Sequence, residues 1–497
     1  MTDMKNWRKN MYPNRNLFEK YITKDEIELI HEYTLKILSE VGVIIESDAA
    51  AEVFKKNGAR VEGHKIFIDE ALLKKGLSTV PKEFDIYSPS GNLTLGESAP
   101  TICAGPVAPT TIQDFENNTY RPANLKDVEQ YYILQETSKV ISMPTHSCQN
   151  TDDLDKSGDD FHTPQAAMGL KYCQKPIYQG NTITPINYKK GSLIEANRRL
   201  VKLHREFYDI WDKPVTMSNC CVLSPLAIGA EVADTIIGAV QENQPVIIIS
   251  CSMTNLTCPP TLASAIVQDN ANILAGIVLT QLISPGVGAV YGSVTSPTDM
   301  RTVQLATGAP EAVLMQMGLV AMGRYYNLPV RSGVSATTAV DLDFQCGAES
   351  MMTLMTGMLG KTDFILNAAG AYGGYNLGSL ENFVLDEENI AYLKRVNQGL
   401  DITEDKLYFD LIAKTGPRGN FLKGRTPKDY RKENYFPSIF VREGGSPADV
   451  IEKNGNLVAR ARSVVNERLE SYELPDVTTT QKKLLNEYLP EGYKYDL

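Results

Sequence analysis

Between residues 100 and 380, side chains able to bind or react recur just past short apolar runs. His146 follows the run 140–145, and Asn181 follows 176–180. Asn219 and Cys220 end 215–220, and Cys251 and Met253 lie at the end of 246–251. Ser293 closes 289–293, Ser332 and Gly333 close 330–333, and Asn367 lies in 364–368. Directly after that last run comes Ala368-Ala-Gly-Ala-Tyr-Gly-Gly-Tyr-Asn376, where Gly373 and Gly374 separate Tyr372 from Tyr375. Glycines there permit close backbone approach. The two tyrosines, with Phe344, could present ring faces to one cavity. Such faces attract quaternary ammonium groups through cation–π interaction. Arg331 and Arg301 are candidates to hold a carboxylate bidentately, with Asp299 an alternative partner for Arg301. His146, Cys148 and Cys220 could together bind zinc, although no CxxC or HExxH spacing supports this. No pair of residues reads as a catalytic acid and base. GxSxG, Walker A and EF-hand patterns are absent.

The apolar run at 102–107 precedes the seven above, making eight, and helical periodicity fits most of the intervals. Strands alternating with helices imply parallel βαβ units, and eight such units imply a closed TIM (β/α)8 barrel. Active sites of that fold lie at the C-terminal ends of the strands, where the residues above fall. The chain is thus expected to be α/β, divided into an N-terminal α+β extension (1–100), the barrel (101–385) and a helical C-terminal segment (386–497). In the extension, Thr23-Lys-Asp-Glu26 has the form of a capping box with Gly42 as the stop. A second helix is expected from Ser47 to Lys56, and a strand at Ile66-Phe67-Ile68. The C-terminal segment has helices expected at 387–397 and 447–472. Between them, 416–437 is basic and aromatic and is expected to close over one end of the barrel.

Composition narrows the function. The 497 residues carry a net charge of −11, which repels phosphate backbones. No nucleic-acid partner is therefore expected. Residues 1–14 are polar, so no leader is expected. The most apolar helical stretch, 273–283, contains Gly276, Thr280 and Gln281 and is expected to be a buried core helix, with no membrane span. Eight scattered cysteines fit reduced thiols in the cytoplasm rather than a disulfide framework.

Taken in order, several stretches resemble one family. These include Asn255-Leu-Thr-Cys-Pro-Pro-Thr-Leu262, Asn272-Ile-Leu-Ala-Gly-Ile-Val-Leu-Thr-Gln-Leu282 and Tyr291-Gly-Ser293. Asp299-Met-Arg-Thr302, Gly308-Ala-Pro-Glu311, Tyr326-Asn-Leu-Pro329 and Phe383-Val-Leu-Asp-Glu387 continue the series, and Gly105-Pro106 and Asn124-Leu-Lys-Asp127 precede it. Together they resemble the trimethylamine methyltransferase family over most of residues 25–445. The resemblance implies a TIM barrel, a methylated amine as substrate and a corrinoid protein as partner. No cofactor would be tightly bound; the cobalamin would be presented by the partner. Pyrrolysine marks the founding enzymes, whereas every position here is a standard amino acid, and Thr337-Thr-Ala-Val340 departs from the family's Thr-Asp-Ser-Lys. These departures point to pyrrolysine-free relatives that demethylate quaternary amines such as glycine betaine, proline betaine or carnitine. A homo-oligomer is expected. Two other readings stay open: zinc-dependent methyl transfer to a thiol, and a non-catalytic quaternary-amine binding protein.

Overall fold

The computed structural model describes residues 20–107, 109–148, 151, 153, 162–178, 191–332, 335–422 and 424–497. At its centre is a six-stranded sheet, ordered Ile102–Cys103, Phe364–Ile365, Val330–Arg331, Ala289–Ser293, Val246–Ser250 and Ser218–Val222. Every neighbouring pair is parallel. Past the Ile102 edge, Ala104 bridges Met143 in parallel, and the Tyr178 N–H donates to the Pro144 carbonyl at 2.9 Å. The expected second strand is thus one bridge with a few backbone bonds, among them Ser142 N–H to the Cys103 carbonyl at 2.8 Å, and the third is a single backbone bond; neither is a ladder. Pro144 and Pro176 have no N–H to give to a ladder. From Ile177 the next link is a side-chain bond, Thr216 Oγ1 to the Ile177 carbonyl at 2.8 Å. Among the described residues, backbone ladders join six of the eight expected strands and do not close a ring.

Side chains alternate across these strands with a period of two. Met143, Tyr178, Met217, Ile247, Ile249, Val290, Phe364 and Leu366 belong to one apolar cluster inside the curved sheet. Val246, Ile248, Ala289, Tyr291 and Val330 belong to another, between sheet and helices. Strands buried on both faces read as unbroken apolar runs, which is why Val246-Ile-Ile-Ile249 shows no polar alternation. The most apolar helix, Leu262–Ile283, is mostly buried in that outer layer.

The extension folds largely as its sequence indicates. Thr23 caps the helix Lys24–Lys36 and Glu26 returns the bond, a complete capping box. Ser47 caps Asp48–Lys56. The extension shares its core with the helices around the sheet: Phe54 and Leu73 cluster with Ile237 and Val278, and the strand Val43–Ile45 pairs with Ala227–Ile228. At the other end, the helix Leu380–Asn397 runs through the expected boundary at 385/386. The single helix expected over 447–472 is two, Pro447–Asn454 and Leu457–Glu470, broken where Gly455 takes φ +70°. Arg468 fastens the second to Glu387 at 2.5 Å. The stretch 416–437 does not close over the barrel: its helix, Lys428–Glu433, buries no residue.

Candidate active site

Beyond the C-terminal ends of the strands, one charged group dominates. Arg331 faces inward because Val330, its neighbour, faces the helices. It is 2% exposed. Its Nη1 donates to the Ser293 carbonyl at 2.6 Å, while its Nε is buried without a partner. No carboxylate pairs with it among the described residues. Around the guanidinium lie Tyr375, Tyr178, Cys251 and Cys221, close enough to interact with it electrostatically. Burying a charge without a carboxylate beside it is costly, which makes Arg331 a candidate for anion binding.

The surroundings form a hollow. Cys221 is exposed and Cys251 and Tyr375 are half-buried. Burial nevertheless pushes the two thiols up to about 11 and about 12 and raises the Tyr375 phenol. Groups that touch solvent yet are desolvated line a concavity rather than an outer surface. The Tyr178 ring stacks on Phe364, centroids 5.9 Å apart, and its hydroxyl is buried without a partner. Tyr375 reaches Arg331 through an unusual turn: Gly373, Gly374 and Tyr375 have φ of +57°, +62° and +74°. A tyrosine with positive φ is rare. The Gly373 and Gly374 N–H groups donate to the Ala339 and Thr337 carbonyls at 3.0 and 2.8 Å, pinning this turn to the preceding βα loop.

Polar side chains on the outer helices fix the loops of the mouth. Asp269 accepts hydrogen bonds from Ser250 at 2.5 Å, from Ser252 and from Thr295, tying two neighbouring strand ends together. Asp386 accepts from Ser335 Oγ at 2.6 Å, the Gly370 N–H at 2.9 Å and Asn382 Nδ2 at 3.0 Å, tying the next two. Burial raises both carboxyls, Asp386 to about 7. Gln135 holds the end of the expected second strand, whose Thr145 hydroxyl in turn donates to the Pro106 carbonyl after the first. Gln135 donates to the Thr145 carbonyl at 3.0 Å and to Ser147 Oγ at 2.8 Å, and accepts from the Thr145 N–H at 2.8 Å. It lies so close to Gly105 that a Cβ there would come within 1.7 Å of its Oε1.

The residues expected from sequence separate into groups. Arg331 and Tyr375 come together. Tyr372 does not join them: it is fully buried beneath the hairpin, clustered with Ala339 and Cys346, its hydroxyl bonded to Gln113. Phe344 opens the helix Phe344–Leu359 just after its cap, Asp343, and stands 90% exposed, outside any cage. Arg301 is exposed and closed on Asp299 at 2.6 Å, the alternative pairing. Asn367 is a brace, accepting the Val107 N–H at 2.8 Å, and Ser293 supplies its carbonyl to Arg331. Ser332 is buried with its hydroxyl unpartnered. Asn219 is buried on the strand Ser218–Val222, two positions before Cys221. His146 is buried beside His162, and desolvation pushes it down to about 3, so it is neutral. Asn181 and Gly333 lie outside the described residues. The zinc set does not converge. Cys220 faces the helices and Cys148 belongs to a third cluster, and among the described residues no three His, Cys, Asp or Glu could hold a metal ion. Tyr178 was missed from sequence, and of the adjacent cysteines at the end of the fourth expected strand Cys220 was chosen over Cys221. The register of Ser218–Val222 against Ile247 and Ile249 would have identified Cys221, one residue from Cys220 and on the opposite face.

The chain is similar to known proteins along most of its length. The proline betaine:corrinoid methyltransferase of Eubacterium limosum is 49% identical over 98% of this chain and 100% of its own. The L-carnitine:corrinoid methyltransferase of the same organism is 40% identical over 97% and 99%. The glycine betaine methyltransferase of Desulfitobacterium hafniense is 30% identical over 86% and 88%. In fold, the Methanosarcina barkeri monomethylamine methyltransferase MtmB aligns over 91% of this chain and 93% of its own, with TM-score 0.50 at 11% identity. The family model for trimethylamine methyltransferase matches residues 3–491, and the chain belongs to that family.

Proposed function

We propose that this protein demethylates a quaternary amine that carries a carboxylate, passing one N-methyl group to a corrinoid protein. The observation that carries the reading is the buried Arg331 guanidinium, which has a backbone carbonyl but no carboxylate to pair with. Proline betaine, carnitine and glycine betaine, named for the three relatives, each combine a quaternary nitrogen with a carboxylate. Arg331 would hold that carboxylate as a bidentate pair. The faces of Tyr375 and Tyr178 would receive the ammonium group. The fold is read as a TIM barrel whose mouth opens at the strand ends, where the partner docks. A strongly reducing cytoplasm is the setting this chemistry requires.

A quaternary ammonium loses methyl without proton transfer: the N–C bond breaks, its electron pair stays on nitrogen and a neutral tertiary amine departs. The partner's corrinoid supplies the nucleophile, cobalt(I), that accepts the methyl. What remains for this chain is orientation and exclusion of water. Neutral His146 and protonated thiols fit a site that moves no proton. The rings must hold the cation loosely enough for its charge to fade, because equal binding of ground and transition states does not raise the rate.

The test is methyl transfer to cob(I)alamin, followed by visible absorbance, with proline betaine, carnitine, γ-butyrobetaine, glycine betaine, choline and trimethylamine as donors. Turnover of one or more carboxylate-bearing donors, with choline inert, is expected. Turnover of choline or trimethylamine alone would sink the reading.

A further inference from the structure

The stretch 399–436 is built unlike the rest of the molecule. Its helical pieces, Asp405–Leu407, Phe409–Thr415 and Lys428–Glu433, bury no residue. Leu422 is 86% exposed, Leu400 84% and Phe409 75%, and Ile402, Phe421 and Phe436 are each more than half exposed. Its ion pairs are internal, Lys406 with Asp429 and Glu433, and Arg395 anchors it through the Glu433 carbonyl at 2.6 Å. A stable interface buries ~800 Å² per partner. Exposed rings such as Phe409, Phe421, Tyr430 and Phe436, each half to three-quarters exposed and ~150–250 Å² when wholly buried, supply roughly half to three-quarters of that, and the exposed leucines and isoleucines supply the rest.

The stretch leaves the molecule far from the mouth. Helices of βα units run antiparallel to their strands, so the C-terminal end of Leu380–Asn397 lies at the opposite end of the sheet. There Asn397 Nδ2 bonds the Met358 carbonyl at 2.7 Å, at the end of Phe344–Leu359. A protein docked over Arg331 would not cover it. On the flank of the molecule, helices Pro310–Tyr325 and Phe344–Leu359 form an apolar groove of about 390 Å³, lined by Val313, Leu314, Met317, Met352, Met355 and Leu359. None of its lining comes from 399–436. Methionine-rich grooves adapt to varied apolar side chains.

We propose that 399–436 is an arm that seats on the 310–325 and 344–359 face of a second copy of this chain. Charge favours that partner. Over 399–436 the sequence carries eight basic residues against six acidic ones, a net +2 in a chain of net charge −11, and the basic ones gather between 414 and 432. The arm is therefore complementary to the acidic remainder of another copy.

Multi-angle light scattering at micromolar concentration should find a discrete oligomer of the full chain. Cross-linking a mixture of ¹⁴N- and ¹⁵N-labelled wild-type protein should join arm lysines to the groove face in mixed-isotope pairs, with no variant needed. Phe409→Asp with Leu422→Asp on the arm, and separately Met355→Asp in the groove, should each weaken association at least about tenfold while circular dichroism and Tm hold. A monomeric wild type, purely same-isotope cross-links, or an oligomer indifferent to the arm variants would overturn the proposal. So would arm variants that keep the oligomer but lose methyl transfer to a corrinoid protein, because the arm would then serve that partner instead.

Discussion

At the mouth, a buried guanidinium lies among two phenols and two thiols, with Tyr178 buried and Cys221 open to solvent. Along 399–436, leucine and phenylalanine side chains stand in water. Each region reverses the usual placement of its chemistry. A charge held indoors without a counter-ion, and an apolar surface held outdoors without a cover, are both half of an interaction. On the readings proposed above, the mouth takes a small anion joined to a cation and the arm takes a protein surface. The difference lies in what holds them. Asp269, Asp386 and Gln135 tie the loops of the mouth to the helices, whereas the arm is fastened at its two ends, through Arg395 and through Tyr435, which donates to Glu388 at 2.7 Å.

That contrast can be broken at several points. Arg331→Leu should lower kcat/KM for a carboxylate-bearing amine about 10³-fold, some 4 kcal/mol of lost pairing. An unchanged value would remove Arg331 from the site. Asp386 should matter for stability. Ser335, the Gly370 N–H, Asn382 and Asn389 all face it, with Cys346 nearby, yet burial holds its carboxyl up at about 7. The folded protein binds this proton more tightly than the unfolded chain does, whose carboxyl titrates at ~3.9. The contribution is complete below that value and is lost as pH rises through 7, roughly 3–5 kcal/mol in all. From about pH 5 to about pH 8 the wild-type Tm should therefore fall against that of Asp386→Asn; parallel curves would refute the assignment. Tyr375→Leu should raise substrate KM about tenfold, the range of one cation–π contact with its packing. Phe344→Ala, at a 90% exposed side chain, should leave both KM and Tm unchanged, within ~0.5 kcal/mol. A raised KM would mean that the helix start folds inward around substrate.

Much of the frame could be read from the chain, because its signals are local. The Thr23 capping box, the Ser47 cap and the run Val246-Ile-Ile-Ile249 each name their own structure. Arg331 was legible for the same reason, standing at the end of a strand. What stayed hidden depended on geometry between residues. Cys220 and Cys221 differ only in which face they show, and a one-residue register exchanges them. Tyr372 and Tyr375 look alike in sequence, but three consecutive positive φ values send them to different places. Phe344 is aromatic and correctly near the seventh strand, yet it follows a helix cap that turns it outward. The basic, aromatic composition of 416–437 did not reveal that its surface faces away from its own barrel.

The loops that end the strands are tied mostly from behind, by Gln135, Asp269 and Asp386 on the surrounding helices, and Arg331 alone among the lining residues named above adds a side-chain bond, to the Ser293 carbonyl. The shape of the opening and the identity of its lining are therefore under separate control. Exchanging a wall residue such as Cys221, Cys251 or Tyr178 changes what fits without loosening the ring of loops around it. A lineage built this way can change diet by single substitutions and keep the same scaffold.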